Sequence, residues 1–76
     1  MTRWEYLKVE TDYDNHLDRV HRVNDAELAD WKKGPAVSAY VNQLGAEGWE
    51  IVSGTSFAVA MAVVPSRVLW FKRPLG

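Results

Sequence analysis

Leu44-Gly45-Ala46-Glu47-Gly48-Trp49-Glu50 constrains this chain more than any other stretch. Before it, Val37, Tyr40, Val41 and Leu44 fall at i, i+3, i+4 and i+7, the apolar stripe of an amphipathic helix, with Ser38, Asn42 and Gln43 off the stripe. Gly48 is expected to end the helix as the left-handed residue just past the cap, a conformation glycine adopts without a steric penalty. Trp49-Glu50-Ile51-Val52-Ser53 then reads as a strand. Gly45 inside the last turns costs about 1 kcal/mol relative to alanine, which points to close backbone packing there. The expectation is a helix that stops on a glycine and hands directly to a strand of the sheet it covers.

The remaining segments supply that sheet. Trp4-Glu5-Tyr6-Leu7-Lys8-Val9-Glu10 alternates bulky and charged residues while keeping apolar residues on both sides, as a strand covered on both faces does. Thr11 to Asn15 is polar and reads as a loop. Leu17 and Val20 sit at helical spacing, yet Val20 to Val23 followed by Asn24-Asp25 also looks like a strand running into a turn, and a short strand is the favoured reading. Leu28 and Trp31 fit one helical turn or a tight loop. Lys32-Lys33-Gly34-Pro35 leads into the helix, with Pro35 at its first position, where a missing N–H costs nothing. Gly54 permits a bend or bulge after the Trp49–Ser53 strand. The apolar segment from Thr55 to Val64 fits a strand extension, a long hairpin tip or a short helical turn. Arg67 to Arg73 reads as the final strand. The fold class expected is α+β: an antiparallel sheet of three to four strands, with one amphipathic helix packed on one face and residues 1–76 forming a single domain.

Composition narrows the function. Seventy-six residues bury only about 60% of the surface their unfolded chain exposes, so small domains lean on disulfides, metals or assembly. There is no cysteine, which removes disulfides and thiolate zinc sites. Self-assembly remains, and four tryptophans with 47% hydrophobic residues favour it. A net charge of −1 opposes a general nucleic-acid binder. The N-terminus lacks the apolar run of a signal peptide. The longest apolar run, Phe57 to Val64, is far short of the roughly 20 residues a membrane helix needs. A soluble, cytoplasmic protein is expected.

Chemical motifs are sparse. His16 and His21 with Asp14 and Asp18 lack metal-ligand spacing, and read as solvated loop residues. Ser53, Thr55, Ser56 and Ser66 sit in no nucleophile elbow. Gly45-Ala46-Glu47-Gly48 does not cradle phosphate, because it lies at the negative end of a helix and carries a glutamate. The acidic residues between Glu10 and Asp30 read as a charged edge that discourages strand pairing. The other end of the helix is the better anion site: Lys32 and Lys33 precede Gly34, beside the free N–H groups of the first turn. Trp31, Trp4 and Trp70 are candidates to stack on a ligand there, while core and subunit-interface roles compete for the same tryptophans.

Trp4-Glu5-Tyr6, the joint from Leu44 to Glu50, and Phe71-Lys72-Arg73-Pro74-Leu75 together resemble a family of small bacterial and phage proteins, the domain-of-unknown-function family numbered 4177. Asp12 to Gly34 and the run from Phe57 to Val64 are longer than the family pattern. The resemblance implies a compact strand–helix–strand–strand unit and brings no activity with it. The residues themselves point to a non-enzymatic, homo-oligomeric binding module without cofactor or metal. Its expected ligand is small and anionic, with a nucleotide-like molecule as the candidate, held at a subunit interface by Trp31, Lys32, Lys33, Gly34, Trp4 and Trp70, as in a phage or bacterial protein that sequesters a signal. The alternative is a module that regulates a partner protein through its apolar strand. Gly45, Gly48 and Trp49 are assigned structural roles, and Phe57, Val59, Met61 and Val63 the oligomer interface.

Overall fold

The computed structural model describes residues 2–14, 17–57 and 66–75. In chain order it holds strand β1 (Trp4–Asp14), strand β2 (Leu17–Val23), strand β3 (Ala26–Glu27), a 3-10 turn (Trp31–Lys33), helix α1 (Val37–Ala46), strand β4 (Glu50–Phe57) and strand β5 (Ser66–Pro74). One antiparallel sheet in the order β3-β2-β1-β5-β4 carries the single helix, so the fold is α+β with five strands rather than three to four. Among the described residues no helix is long and apolar enough to cross a membrane.

The sheet departs from the sequence expectation in two places. Thr11 to Asp14 is strand, not loop: these polar residues pair with Val20, Arg19, Asp18 and Leu17 across the β1–β2 hairpin. Ladder hydrogen bonds from the partner strand override a composition that reads as turn. The fifth strand is β3, too short to show any alternation. It forms because Asn24 and Asp25 both take positive φ (51° and 68°), the two-residue reversal that suits a twisted hairpin. Asn24 is anchored to β1, its side-chain Oδ1 accepting the Lys8 N–H at 3.0 Å and its own N–H donating to the Lys8 carbonyl at 2.8 Å.

Pleat alternation sorts the central strands into two faces. Leu7, Val9 and Thr11 of β1, Val20 and Val23 of β2, and Leu69 and Phe71 of β5 face the helix. Val9, Val20, Leu44 and Phe71 are the buried apolar core, with Val37, Tyr40, Val41 and Trp49 packed around it. A buried side chain of this size contributes about 1.5–3 kcal/mol, so four of them make a thin core. Two bulges preserve the sorting. His21 is the extra residue opposite the Glu10/Thr11 step and lets both Val20 and Val23 face inward; Val52 is the extra residue of β4 and keeps Ile51 and Gly54 on the side of Phe71 and Leu69, although Ile51 stays exposed at the sheet edge.

Pro35 lies outside the helix, contrary to its expected place at the first helical position. Its carbonyl accepts the Val20 N–H at 3.5 Å and Ala36 bridges to Arg19, so the chain stays extended along the edge of β2 until Ala36 caps α1. The other end of α1 is closed chiefly by backbone, with the Arg73 side chain donating to the Glu47 carbonyl at 3.1 Å. Trp49 N–H donates to the Leu44 carbonyl at 2.9 Å and Gly48 N–H to the Gly45 carbonyl at 3.1 Å, around Gly48 at φ +91°. Gly45 is not a close-packing position: a Cβ there would meet nothing within 4 Å among the described residues.

The two glycines therefore predict substitutions of opposite sign. Gly48→Val is expected to lower stability by more than about 1 kcal/mol, the cost of a β-branched residue in the left-handed region. Gly45→Ala is expected to raise it by about 0.5–1 kcal/mol, since alanine only removes unfolded-state freedom at an open helical site. Denaturant midpoints measured side by side check both. Coincident midpoints for Gly48→Val and wild type would remove Gly48 from the cap.

Candidate functional site

A groove of about 330 Å³ lies where α1 begins, lined by Tyr13, Leu17, Asp18, Ala36, Val37, Ser38 and Arg67. Three separate stretches of chain meet there. The β1–β2 hairpin brings Tyr13 opposite Asp18, β5 brings Arg67 in register with Thr11, and the extended segment before α1 delivers Ala36 to Ser38 beside β2. Arg67 Nη1 stands 3.7 Å from Asp18 Oδ2, too long for a tight hydrogen bond. Asp18 Oδ1 and Thr11 Oγ1 are buried with no hydrogen-bond partner among the described residues. Ala36 cannot cap α1 with its side chain, and no side-chain cap is made. The Arg19–Ala36 bridge directs the Val37 N–H toward β2, while the Ser38 and Ala39 N–H groups take no side-chain cap, at the positive end of the helix dipole.

A second cluster sits where β2 meets β3. His21 Nε2 lies 2.8 Å from Glu27 Oε1, and Nδ1 lies 3.6 Å from Asp12 Oδ2. The ring packs on Trp31 with centroids 4.3 Å apart. His21 is accordingly a strand residue held between two carboxylates, not a solvated loop histidine. Among the described residues no group of three or more His, Asp or Glu side chains is disposed to hold a metal ion.

The six residues expected to bind ligand divide between two places. Trp31, Lys32 and Lys33 form the 3-10 turn, with Lys32 Nζ 5.8 Å from the Trp31 ring, and the adjoining Gly34 carbonyl accepts a hydrogen bond from Arg19 Nη1. Trp4 and Trp70 lie on β1 and β5, on the side of the sheet away from α1. None of the six lines the groove. Trp49 serves the helix joint, where Arg73 stacks on it with its guanidinium carbon 4.3 Å from the ring centroid. Phe57 ends β4; Val59, Met61 and Val63 lie outside the described residues. Sequence reasoning found the helix start but missed Tyr13, Asp18, Ser38 and Arg67. Single polar residues on separate segments carry no shared spacing, and only strand register unites them.

The hydrogen bond from His21 holds the Glu27 carboxyl below the ordinary carboxylate value, against a smaller desolvation effect. A depressed folded-state value means a contribution to stability that is present above the ordinary 4.5 and lost as pH falls through the lowered value. Glu27→Gln should therefore be slightly less stable than wild type at neutral pH, and the two should converge in acid. The difference is small because the pair is exposed. Urea midpoints across the acid range check this; a gap that persists below the carboxylate range would assign the effect to something other than ionisation.

No family model, curated protein or solved structure matches the chain, and its function is read from this geometry.

Proposed function

We propose that this protein is a non-enzymatic binding module that holds a small anionic, nucleotide-like ligand in the groove at the start of α1. The observation that carries this reading is the convergence of the uncapped first turn of α1 and the Arg67 guanidinium on one concavity. Helix N-termini attract anions through free N–H groups and the dipole, and a guanidinium matches phosphate oxygens with a two-pronged fork. Arg67 is about half exposed and only loosely tied to Asp18, so it can turn toward an incoming anion. Tyr13 offers an aromatic face to a planar group, and Asp18 an acceptor for amino or hydroxyl donors. A nucleotide carries that combination: charge at one end, a ring and donors at the other. The volume fits the lower end of the roughly 300–1,000 Å³ typical of small-molecule sites. The groove is open on one side, which a neighbouring subunit would close.

Calorimetric titration with inorganic phosphate and with mono-, di- and cyclic nucleotides tests the reading. Binding is expected to weaken with salt, because the charges lie near the surface. Arg67→Ala is expected to weaken it about tenfold or more, the scale of one lost charge-assisted contact. Lys32→Glu with Lys33→Glu provides the contrast. If that double variant abolishes binding while Arg67→Ala leaves it intact, the ligand sits at the 3-10 turn instead. No heat from any of these compounds would overturn the nucleotide reading.

A second reading is favoured by β4, an edge strand on which Ile51 and Val52 are 54% and 52% exposed. An apolar edge of this kind offers unpaired backbone to another chain. On this reading the module regulates a partner protein through β4 and the apolar stretch 57–64, most of which lies outside the described residues.

A further inference from the structure

The face of the sheet away from α1 carries an ordered pattern that the groove does not use. Tyr6 of β1 stands opposite Lys72 of β5, and Lys8 opposite Trp70. These four neighbours form a square in which ring and cation alternate both along each strand and across the pair. Tyr6 is 58% exposed, Trp70 40%, and Trp4, just beyond the square, 38%. Lys72 Nζ lies 4.2 Å from the Trp4 ring centroid and Lys8 Nζ 6.0 Å from that of Trp70, so the cations already lean on rings of their own chain. Acidic residues border the square: Lys8 Nζ donates to Asp25 Oδ1 at 2.8 Å and lies 3.4 Å from Glu10 Oε1, and Glu50 pairs with Lys72 in register.

We propose that this square is a self-recognition surface, docking sheet face to sheet face on the same square of a second copy of the chain. Packed sheets lie about 10 Å apart, a gap that Tyr, Trp and Lys side chains fill from both sides. A twofold axis along the strands, between β1 and β5, sets Tyr6 over the partner's Lys72 and Lys8 over the partner's Trp70. A twofold axis across the strands sets Tyr6 over the partner's Lys8 and Trp70 over the partner's Lys72. Under either operation every cation meets a ring and no cation meets a cation. This is the self-complementarity that a twofold interface requires, and each desolvated cation–ring contact adds attraction. Asp25, Glu10 and Glu50 balance Lys8, Lys72 and the neighbouring Arg22, so the surface does not repel its own copy. The same balance makes it a poor site for nucleic acid, which needs a basic excess. Need and surface coincide: among the described residues, eight large hydrophobics are exposed while four apolar residues are buried, and domains this small commonly gain stability by oligomerising. The square lies on the opposite face from Arg67 and the groove, so it stands or falls independently of ligand binding there.

Sedimentation equilibrium on the full chain, over a micromolar concentration series, tests the proposal. Wild type is expected to dimerise. Tyr6→Lys with Trp70→Lys turns the square into four cations and is expected to raise the dimer dissociation constant about a hundredfold, because like charges then face each other in every arrangement. Far-UV circular dichroism confirms that the variant folds. Tyr6→Ala, a truncation at an exposed site, provides a milder variant with an expected weakening of about tenfold. Acrylamide quenching adds a second readout: tryptophan accessibility should fall as wild-type concentration rises and should not change in the double variant. A wild type that stays monomeric through the series overturns the proposal. So does a dimer whose affinity both variants leave unchanged, which would place assembly on another surface such as the β4 edge.

Discussion

The left-handed turn at Gly48 is the constraint on which the rest of the molecule depends. Four carbonyls at the end of α1 need partners, and the backbone supplies two within the turn itself, from Gly48 to Gly45 and from Trp49 to Leu44. Leu44 is also the residue of α1 buried in the core, so capping and core formation occur at the same residue. Arg73 extends the joint to the sheet. Its guanidinium donates from Nε to Glu5 Oε1 and from Nη1 to the Glu47 carbonyl at 3.1 Å, and it lies over Trp49. One side chain therefore links β5 to β1, to the cap residue of α1 and to Trp49 just before β4. With the chain's exit direction set, β4 runs back along β5 with Ile51 opposite Phe71, which keeps Phe71 on the helix side of the sheet.

β1 divides the molecule. It lies at the centre of the sheet, pairs along its length with β2 and β5, and sends alternate residues to opposite faces. A slip of one residue would place Tyr6 and Lys8 in the core and Val9 in solvent, an exchange the thin core cannot absorb. The bulge at His21 is part of this arrangement. By adding one residue to β2 it keeps Val20 and Val23 inward, and it leaves the imidazole to Asp12, Glu27 and Trp31.

Local signals in the sequence were sufficient wherever local physics decides the outcome. The stripe of Val37, Tyr40, Val41 and Leu44 gave the helix, Gly48 its stop, and Leu17–Val23 with Asn24-Asp25 a strand running into a turn. Failures occurred where pairing decides. Thr11 to Asp14 carries the composition of a loop and becomes strand only through β2, while Ala26-Glu27 is too brief to show a period. Pro35 at the first helical position was a reasonable inference from its missing N–H, but an edge contact with β2 holds it extended. For the proposed site, the amphipathic stripe makes the start of α1 legible as a helix end. The side chains around it are not legible, because Tyr13, Asp18 and Arg67 become neighbours only in register. The tryptophans are legible as a surplus, but where the Trp4 and Trp70 rings lie and which cation covers each follow from cross-strand pairing that no spacing reveals.

The same pleat gives β5 two roles. Arg67, Leu69 and Phe71 share the face toward α1, where Arg67 reaches the groove and the other two reach the core. Val68, Trp70 and Lys72 share the opposite face with Tyr6 and Lys8. Changes on one set leave the side chains of the other in place, so the proposed ligand binding and the proposed self-association can be tested apart by substitution within a single strand. They remain coupled in one respect. Anything that binds only the folded chain stabilises it by mass action, and a domain with four buried apolar residues has little stability of its own to spare. Association through the outer face would stabilise the sheet whose register builds the groove, so the groove should be best formed in the assembled protein.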